Sequence, residues 1–388
     1  MRDGIYFDNA ATSRFKPRSV LRAAAEELKR ASNPGRSGHN DAIAAALKIE
    51  AARSAVADAL GLNDGVVIFT KNCTEALNLA VTCLIRGHAI TTVLDHNSML
   101  RPLYALKTEG KVRVSAVSPA NGAFITARDI ELALRDDTAL IAVNYVSNVT
   151  GAAAEVAEIG ALAKSRGIPF LVDAAQAIPH FPVSMDGMNI DMVACAGHKG
   201  LHGVQGTGFL AVKTSSRAGL TSSNGGFRIK NGSSLRPLIH GGTGTRSDSV
   251  FQPSEPPESM ESGTLNTPGI AALTHAVKWT YANADKINRR TADISSEIMD
   301  GLKKLGAEVY TSDPRAGVIS FNVKGKTSGE TADFLNERGI AVRSGLHCAP
   351  LAHRLLGTEK RGAVRVSVGF NNSHSDARAL LSALNDIL

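Results

Sequence analysis

The sequence predicts an α/β fold, a large and mostly parallel sheet clothed by helices, followed by a smaller α+β unit. Three observations predict it. From about residue 40 to 212, helical periodicity alternates with short apolar runs, the pattern of βαβ units. Residues 214–263 then lose any sustained period and are rich in Ser, Gly and Pro, which marks loops and an extended lobe. Beyond Thr267 and Pro268 a long helical pattern resumes and leads into further strand-sized runs.

Taken in order, the first clear helix runs from Asn40 to Leu60 and stops at Gly61, where a residue free to adopt positive φ ends the repeat. The runs VVIF (66–69), ITTVL (90–94), ALIAVN (139–144), IPFLV (168–172), DMVAC (191–195) and GFLAV (208–212) have the length and β-branched content of buried strands. Helical spacing is expected after each of the first four. Strands near 317–323 and 363–368 and a last helix from about Ser375 complete the smaller unit. The large domain is expected to span 13–267, and the small one 1–12 together with 268–388. No internal repeat is visible.

Composition removes several function classes. With 388 residues, 43% hydrophobic and 20% charged, the chain can bury two substantial cores. The formal charge of +7 is scattered and forms no basic stripe interleaved with aromatics, so a nucleic-acid partner is not expected. The opening MRDGIYFDNAATS lacks the apolar run of a secretory signal, and no segment approaches a membrane span. Cys73, Cys83, Cys195 and Cys348 are too dispersed for a zinc site and too few for a disulfide scaffold. Reduced thiols and a cytoplasmic location follow as expectations, with no metal site.

In open α/β sheets ligands bind beyond the carboxyl ends of the strands, so polar residues just after apolar runs are the first candidates. In TKNCTEALNLAV (70–81) a helix opens on Asn72, Cys73 and Thr74, where free N–H groups and the helix dipole suit a phosphate, or where an ordinary cap would stand. His96 follows ITTVL and is either structural or placed to stack on an aromatic ligand. Asp173 closes an apolar strand, where a carboxylate needs a partner, either a helix terminus or a cationic ring nitrogen. Lys199, after DMVAC and Gly197-His198, is a surface lysine or a Schiff-base amine.

The strings DNAAT (8–12), TEA (74–76), DH (95–96), SNVTG (147–151), VDAAQA (172–177), GHKG (197–200), SGTLNTPG (262–269) and RSGLHCAP (343–350) occur in the order and spacing of the class V aminotransferase family. They most closely resemble its cysteine desulfurases and selenocysteine lyases, over residues 8 to about 370. The resemblance implies the fold-type I pyridoxal-phosphate architecture, like that of aspartate aminotransferase, with an active site at a homodimer interface. It implies that Lys199 holds pyridoxal 5'-phosphate as an imine, that Asp173 binds the ring nitrogen, that Gln176 bonds the phenolic oxygen and that His96 stacks on the ring. Thr74, the backbone of Cys73 and His198 would hold the phosphate, with Thr264 reaching in from the partner subunit.

By the same resemblance Arg343 and Arg365, with Asn148 beside them, would take the substrate carboxylate, which a guanidinium fork fits in two-point contact. Cys348 would accept sulfur from L-cysteine as a persulfide, leaving L-alanine, and Arg343, His347 or the bound substrate would help deprotonate it. Its short loop resembles that of desulfurases that deliver sulfur to a dedicated acceptor protein. Cys83 and Cys195 fall within apolar periodicity and read as core. Selenocysteine lysis, or class V transamination or epimerisation without sulfur transfer, are the alternatives.

The pattern also departs from the family. Ala196 stands where a Ser or Thr usually touches the cofactor phosphate, and Cys73 replaces a small hydroxyl residue. The segment from Ser215 to Ser234 is longer than the usual connection and reads as an exposed excursion.

Overall fold

The structure, a computed structural model, describes residues 4–30, 32–35, 37–84, 86–214, 227–229 and 233–387. Most of the 215–234 excursion therefore lies outside the described residues. A two-residue strand β1 (Ile5–Tyr6) is followed by helices α1 (Arg18–Lys29) and α2 (Asn40–Ala59). The large sheet then takes β2 (Gly65–Thr70), β3 (Gly87–Thr92), β4 (Val112–Val117), β5 (Thr138–Asn144), β6 (Phe170–Asp173), β7 (Met192–Ala196) and β8 (Gly208–Lys213). Helices α3 (Cys73–Val81), α4 (Asn97–Thr108), α5 (Ala127–Leu132) and α6 (Val156–Ser165) alternate with them. A small ribbon pairs β9 (Phe227–Arg228) with β10 (Ser234–Leu235).

The strands lie in the order β2-β8-β7-β6-β5-β3-β4, and only β8 runs against the other six. Burial on both faces explains why these strands read as continuous apolar runs. Along β5, Leu140 and Ala142 join one core cluster while Ile141 and Val143 join the other, the period of two that a sheet imposes. The first cluster gathers Leu77 and Leu79 of α3 and Met99 and Leu103 of α4. Val20, Ile49 and Val56 of α1 and α2 lie in the second. Every strand but β8 delivers its carboxyl end to one edge.

After a loop segment, helix α7 (Thr267–Ala282) packs back on α1 and α2, with Ile270, Leu273 and Val277 in the second core cluster, and α8 (Ala284–Lys304) leads into a smaller body. Strands β11 (Glu308–Val309), β12 (Val318–Asn322), β14 (Arg343–Gly345) and β15 (Ala363–Ser367) form an antiparallel sheet in the order β11-β12-β15-β14. Helices α9 (Ser328–Glu337) and α11 (His374–Asn385) belong to it, with α10 (Pro350–Leu355) just after β14. Phe321, Ile298, Leu302, Val364, Leu335 and Leu380 share its core, each fully buried. Burying one such side chain contributes roughly 1.5–3 kcal/mol. The N-terminal β1 pairs parallel with β13 (Ile340–Ala341), and Asp8 bridges to Ser367, so the DNAAT segment is stitched to this smaller sheet.

Two expectations fail locally. No helix follows β6: residues 174–190 close as turns, with Ala177 and Phe181 N–H groups donating to the Ala174 and Ala177 carbonyls, because Pro179 and Pro182 withdraw two donors from any helical ladder. Asp173 therefore caps nothing. Strand β4 is not among the expected strands, since Arg113 and Ser115 interrupt its run VRVSAV and it sits at the edge of the sheet, where one side stays wet.

Candidate active site

The carboxyl ends of β2, β3, β5, β6 and β7 line a common, partly open cavity. From β2 the chain turns at Asn72, whose side chain caps α3 by accepting from the Glu75 N–H at 2.9 Å. The N–H groups of Cys73 and Thr74, next in the helix, have no partner among the described residues and border the cavity. The turn is tight because Gly208 of β8 lies against it: a Cβ there would stand 2.6 Å from the Asn72 carbonyl carbon.

Beyond β3, His96 caps α4. Its Nδ1 accepts from the Ser98 N–H at 3.1 Å and lies 2.8 Å from the Ser98 hydroxyl, which leaves Nε2 as the protonated nitrogen. Burial first, and then the positive charges of Lys199, Arg343 and Arg365, lower its pKa to about 4, so the imidazole is neutral near pH 7. Just before it, Asp95 is fully buried and receives the N–H groups of Thr92 and Asn144 and the Thr91 hydroxyl. That carboxylate ties β3 to β5 and fixes where the His96 turn begins.

Asp173, 5% exposed, ends β6. Its Oδ1 accepts from the Ala175 N–H at 2.9 Å and from the Cys73 thiol at 3.4 Å, while Oδ2 takes no described partner. Burial raises its pKa, and the Ala175 N–H and the nearby Lys199 charge work against that rise. Gln176 lines the same cavity, with its amide donating to the Ala10 carbonyl at 2.9 Å. Lys199 enters from the turn after β7, and His198 beside it contacts the Thr12 hydroxyl through Nδ1 at 3.1 Å. Ala196, at the end of β7, lines the cavity without a hydroxyl to offer.

Cys348 reaches this site from the smaller sheet. Only residues 346–349 connect β14 to α10, and Cys348 is exposed within them. His347 and Cys348 hold φ values of 49° and 57°, a left-handed region that costs a non-glycine residue on the order of 1–3 kcal/mol. Three contacts hold them there. The Asn97 N–H donates to the Cys348 carbonyl at 2.7 Å, the Asn148 amide donates to the His347 carbonyl at 2.8 Å, and His347 Nε2 donates to the Ala363 carbonyl at 3.0 Å. Asn97 adjoins His96, so the first of these bonds ties the cysteine loop to the cavity wall.

Arg343 places Nη2 3.9 Å from the Cys348 sulfur, and the buried Arg365 guanidinium also interacts electrostatically with it, so both charges are positioned to favour a thiolate there. His347 is not. It is 2% exposed, its Nε2 is spent on Ala363, and burial beside Arg365 drives its pKa far down, so the expectation that it activates Cys348 fails. Arg365 is buried, with Nη2 on Asp8 Oδ1 at 3.0 Å, Nη1 on the Asn148 carbonyl at 3.2 Å and Nε unpaired. Asn148 keeps its own Oδ1 buried and unpaired.

The single chain thus gathers Cys73, Thr74, His96, Asn148, Asp173, Gln176, His198 and Lys199 around one cavity, with Cys348, Arg343 and Arg365 alongside. It does not bring Thr264 there. That residue is exposed and borders two other clefts, one with Lys71 and Glu75 and one with Asp41 and Lys48. Cys83 and Cys195 are buried, and burial pushes both thiols up to about 12. Two contacts went unforeseen. The Cys73 thiol on Asp173 could not be read from a helix cap motif, and Asp8, although inside DNAAT, gave no hint that its carboxylate meets Arg365.

The donor set fits pyridoxal phosphate. A buried carboxylate presents an unpaired oxygen for a cationic ring nitrogen, an amine stands at the same cavity for an aldehyde, and two free helix N–H groups can receive a phosphate.

Comparison with known proteins agrees with that chemistry. The sequence model of the aminotransferase class-V family matches residues 5–380. A probable cysteine desulfurase of Pyrococcus abyssi is 32% identical, covering 99% of this chain and 94% of its own length. The cysteine desulfurase IscS of Dictyoglomus turgidum is 26% identical over 100% of this chain and 95% of its own. Among solved structures, the apo cysteine desulfurase of Thermococcus onnurineus superposes with a TM-score of 0.87 at 31% identity, covering 99% of this chain and 94% of that one.

Proposed function

This chain belongs to the aminotransferase class-V family, and from that premise we propose that it is a pyridoxal-phosphate-dependent cysteine desulfurase, which converts L-cysteine to L-alanine and carries the sulfur on Cys348 as a persulfide. The observation that carries the reading is the exposed Cys348 thiol, pinned through Asn97 and Asn148 beside the cavity that Lys199 and Asp173 line.

When bound, pyridoxal phosphate supplies an electron sink for the α-carbon of an amino acid. Lys199 would hold it covalently and, once displaced by the substrate amine, move the α-proton. Asp173 would keep the proton on the ring nitrogen through the unpaired Oδ2. His96 would lie against the ring as a neutral imidazole, and Gln176 would turn its second amide hydrogen to the phenolic oxygen. The N–H groups of Cys73 and Thr74, the Thr74 hydroxyl and His198 would bind the phosphate.

Arg343 and Arg365 would hold the substrate carboxylate, with Asn148 beside them. Arg365 would exchange part of its contact with Asp8 for that carboxylate. The Cys348 thiolate then attacks the substrate sulfur: the new S–S bond forms as the C–S bond breaks, and the carbon keeps the electron pair and takes a proton, giving alanine. Exposure of Cys348 leaves the persulfide open to an acceptor protein.

A second copy of the chain would complete the site by supplying Thr264, which the single chain leaves exposed. A cytoplasmic location accords with four free cysteines. Product analysis of the holoenzyme with L-cysteine tests the whole: alanine and persulfide or sulfide in equal amounts are expected. A keto acid or D-cysteine in their place would contradict it, and parallel kinetics with L-selenocysteine separate the two lyase substrates.

A further inference from the structure

We propose that Cys73 is a positioning residue for Asp173, its thiol donating to Oδ1 so that Oδ2 stays turned into the cavity. The two share no strand or turn: Cys73 opens α3 and Asp173 closes β6, a hundred positions apart. The Asn72 cap fixes where the helix begins, and Gly208 fixes how closely that turn sits on the sheet.

A cysteine at this place reaches further than a serine, because a C–S bond is longer than a C–O bond. Its sulfur lies 3.4 Å from Oδ1, the oxygen that also receives the Ala175 N–H. Two donors on one oxygen fix the rotation of the carboxylate, and the other oxygen is left for a ligand. Asn148 lines the same cavity and likewise keeps an oxygen, its buried Oδ1, without a partner.

The thiol remains protonated because it is buried beside a carboxylate, which raises its pKa well above the usual value. It is therefore a donor and not a second nucleophile. The two departures from the family pattern have unlike consequences: Ala196 removes a side-chain donor from the phosphate end, whereas Cys73 spends its side chain on the ring-nitrogen partner.

This role rests on Asp173 taking the cofactor's ring nitrogen. The test compares wild type, Cys73→Ala and Cys73→Ser, each loaded with pyridoxal phosphate, by pH titration of the visible cofactor band. Borohydride labelling of Lys199 runs in parallel, and S–H infrared spectra are taken before loading. Without the thiol the carboxylate is less neutralised and favours the protonated imine, so the Cys73→Ala midpoint is expected to rise by roughly half a pH unit. Cys73→Ser, whose shorter C–O bond leaves its hydroxyl further from Oδ1, should return it only in part. In the unloaded protein, the S–H band lost in Cys73→Ser should shift in Asp173→Asn. A Cys73→Ala protein that is labelled on Lys199 yet titrates like wild type, or an S–H band indifferent to Asp173→Asn, would overturn the role. Absence of the Lys199 label from wild type would instead overturn the cofactor reading, and this role with it.

Discussion

On the large sheet, the cofactor side of the site is made of strand ends: Asp173 and Asn148 are 5% exposed, and His96 is locked as a helix cap. On the small sheet, the sulfur-carrying side is a four-residue connection whose Cys348 stands exposed in a left-handed backbone conformation. The difference follows from what each side must do. A group that tunes a bound ring works best dry, fixed and few in its options, because fixed dipoles in a low-dielectric pocket act most strongly. A thiol that receives sulfur and passes it on must be reachable from two directions. Strain in its loop is tolerated because Asn97, Asn148 and Ala363 hold the loop from three sides.

Breaking the two sides separately should give two phenotypes. Lys199→Ala should abolish both the visible cofactor band and turnover, by about a thousandfold or more, as measured by alanine formation. Cys348→Ala should lose sulfur transfer by on the order of a hundredfold or more and keep the cofactor spectrum of the wild type. Arg343→Ala should lower kcat/KM by roughly tenfold to a hundredfold, since one charged hydrogen bond contributes about 1.5–3 kcal/mol. Loss of the cofactor band in Cys348→Ala would merge the two sides and break the comparison.

Acid should strike the buried histidines of both sides. His96, His180, His198 and His353 have pKa values lowered to about 4 and His202 to about 3, burial being the first cause in each. Their ordinary value is about 6.5, so between roughly pH 6.5 and 4 these histidines bind more protons in the unfolded chain than in the folded one, which Asp95, raised by burial to about 7, offsets in part by taking a proton in the folded state. The stability tied to their neutrality is full above that window and is lost as pH falls through it. A melting temperature that drops steadily from pH 7 to pH 5 is expected, and a flat one would contradict it. The smallest effect belongs to Cys83→Ala, which should leave activity within about twofold because that thiol lies in the core away from both sides.

The same contrast marks what was legible in the sequence. Fully buried strands announced themselves as apolar runs, so VVIF, ALIAVN, DMVAC and GFLAV fell within a residue or two of β2, β5, β7 and β8. The edge strand β4 did not, because Arg113 and Ser115 interrupt its apolar run, and the turns after β6 pass for helix because spacing alone does not register the prolines at 179 and 182. At the site, residues at strand ends were identifiable as candidates by position. Their assignment to a cofactor came from the family motifs. Contacts between segments far apart in sequence were not legible: Cys73 with Asp173, Arg365 with Asp8 and Cys348 with Asn97 join positions that no local pattern relates. The reversed direction of β8 was equally hidden, since periodicity carries no sense of direction.

The most direct measurement is peptide mass spectrometry of the holoenzyme after brief treatment with L-cysteine. One added sulfur on the peptide that carries Cys348 is the expected result, absent from both the Cys348→Ala and Lys199→Ala proteins. Alanine produced with that peptide unmodified, or sulfur found on Cys73, Cys83 or Cys195 instead, would contradict the account.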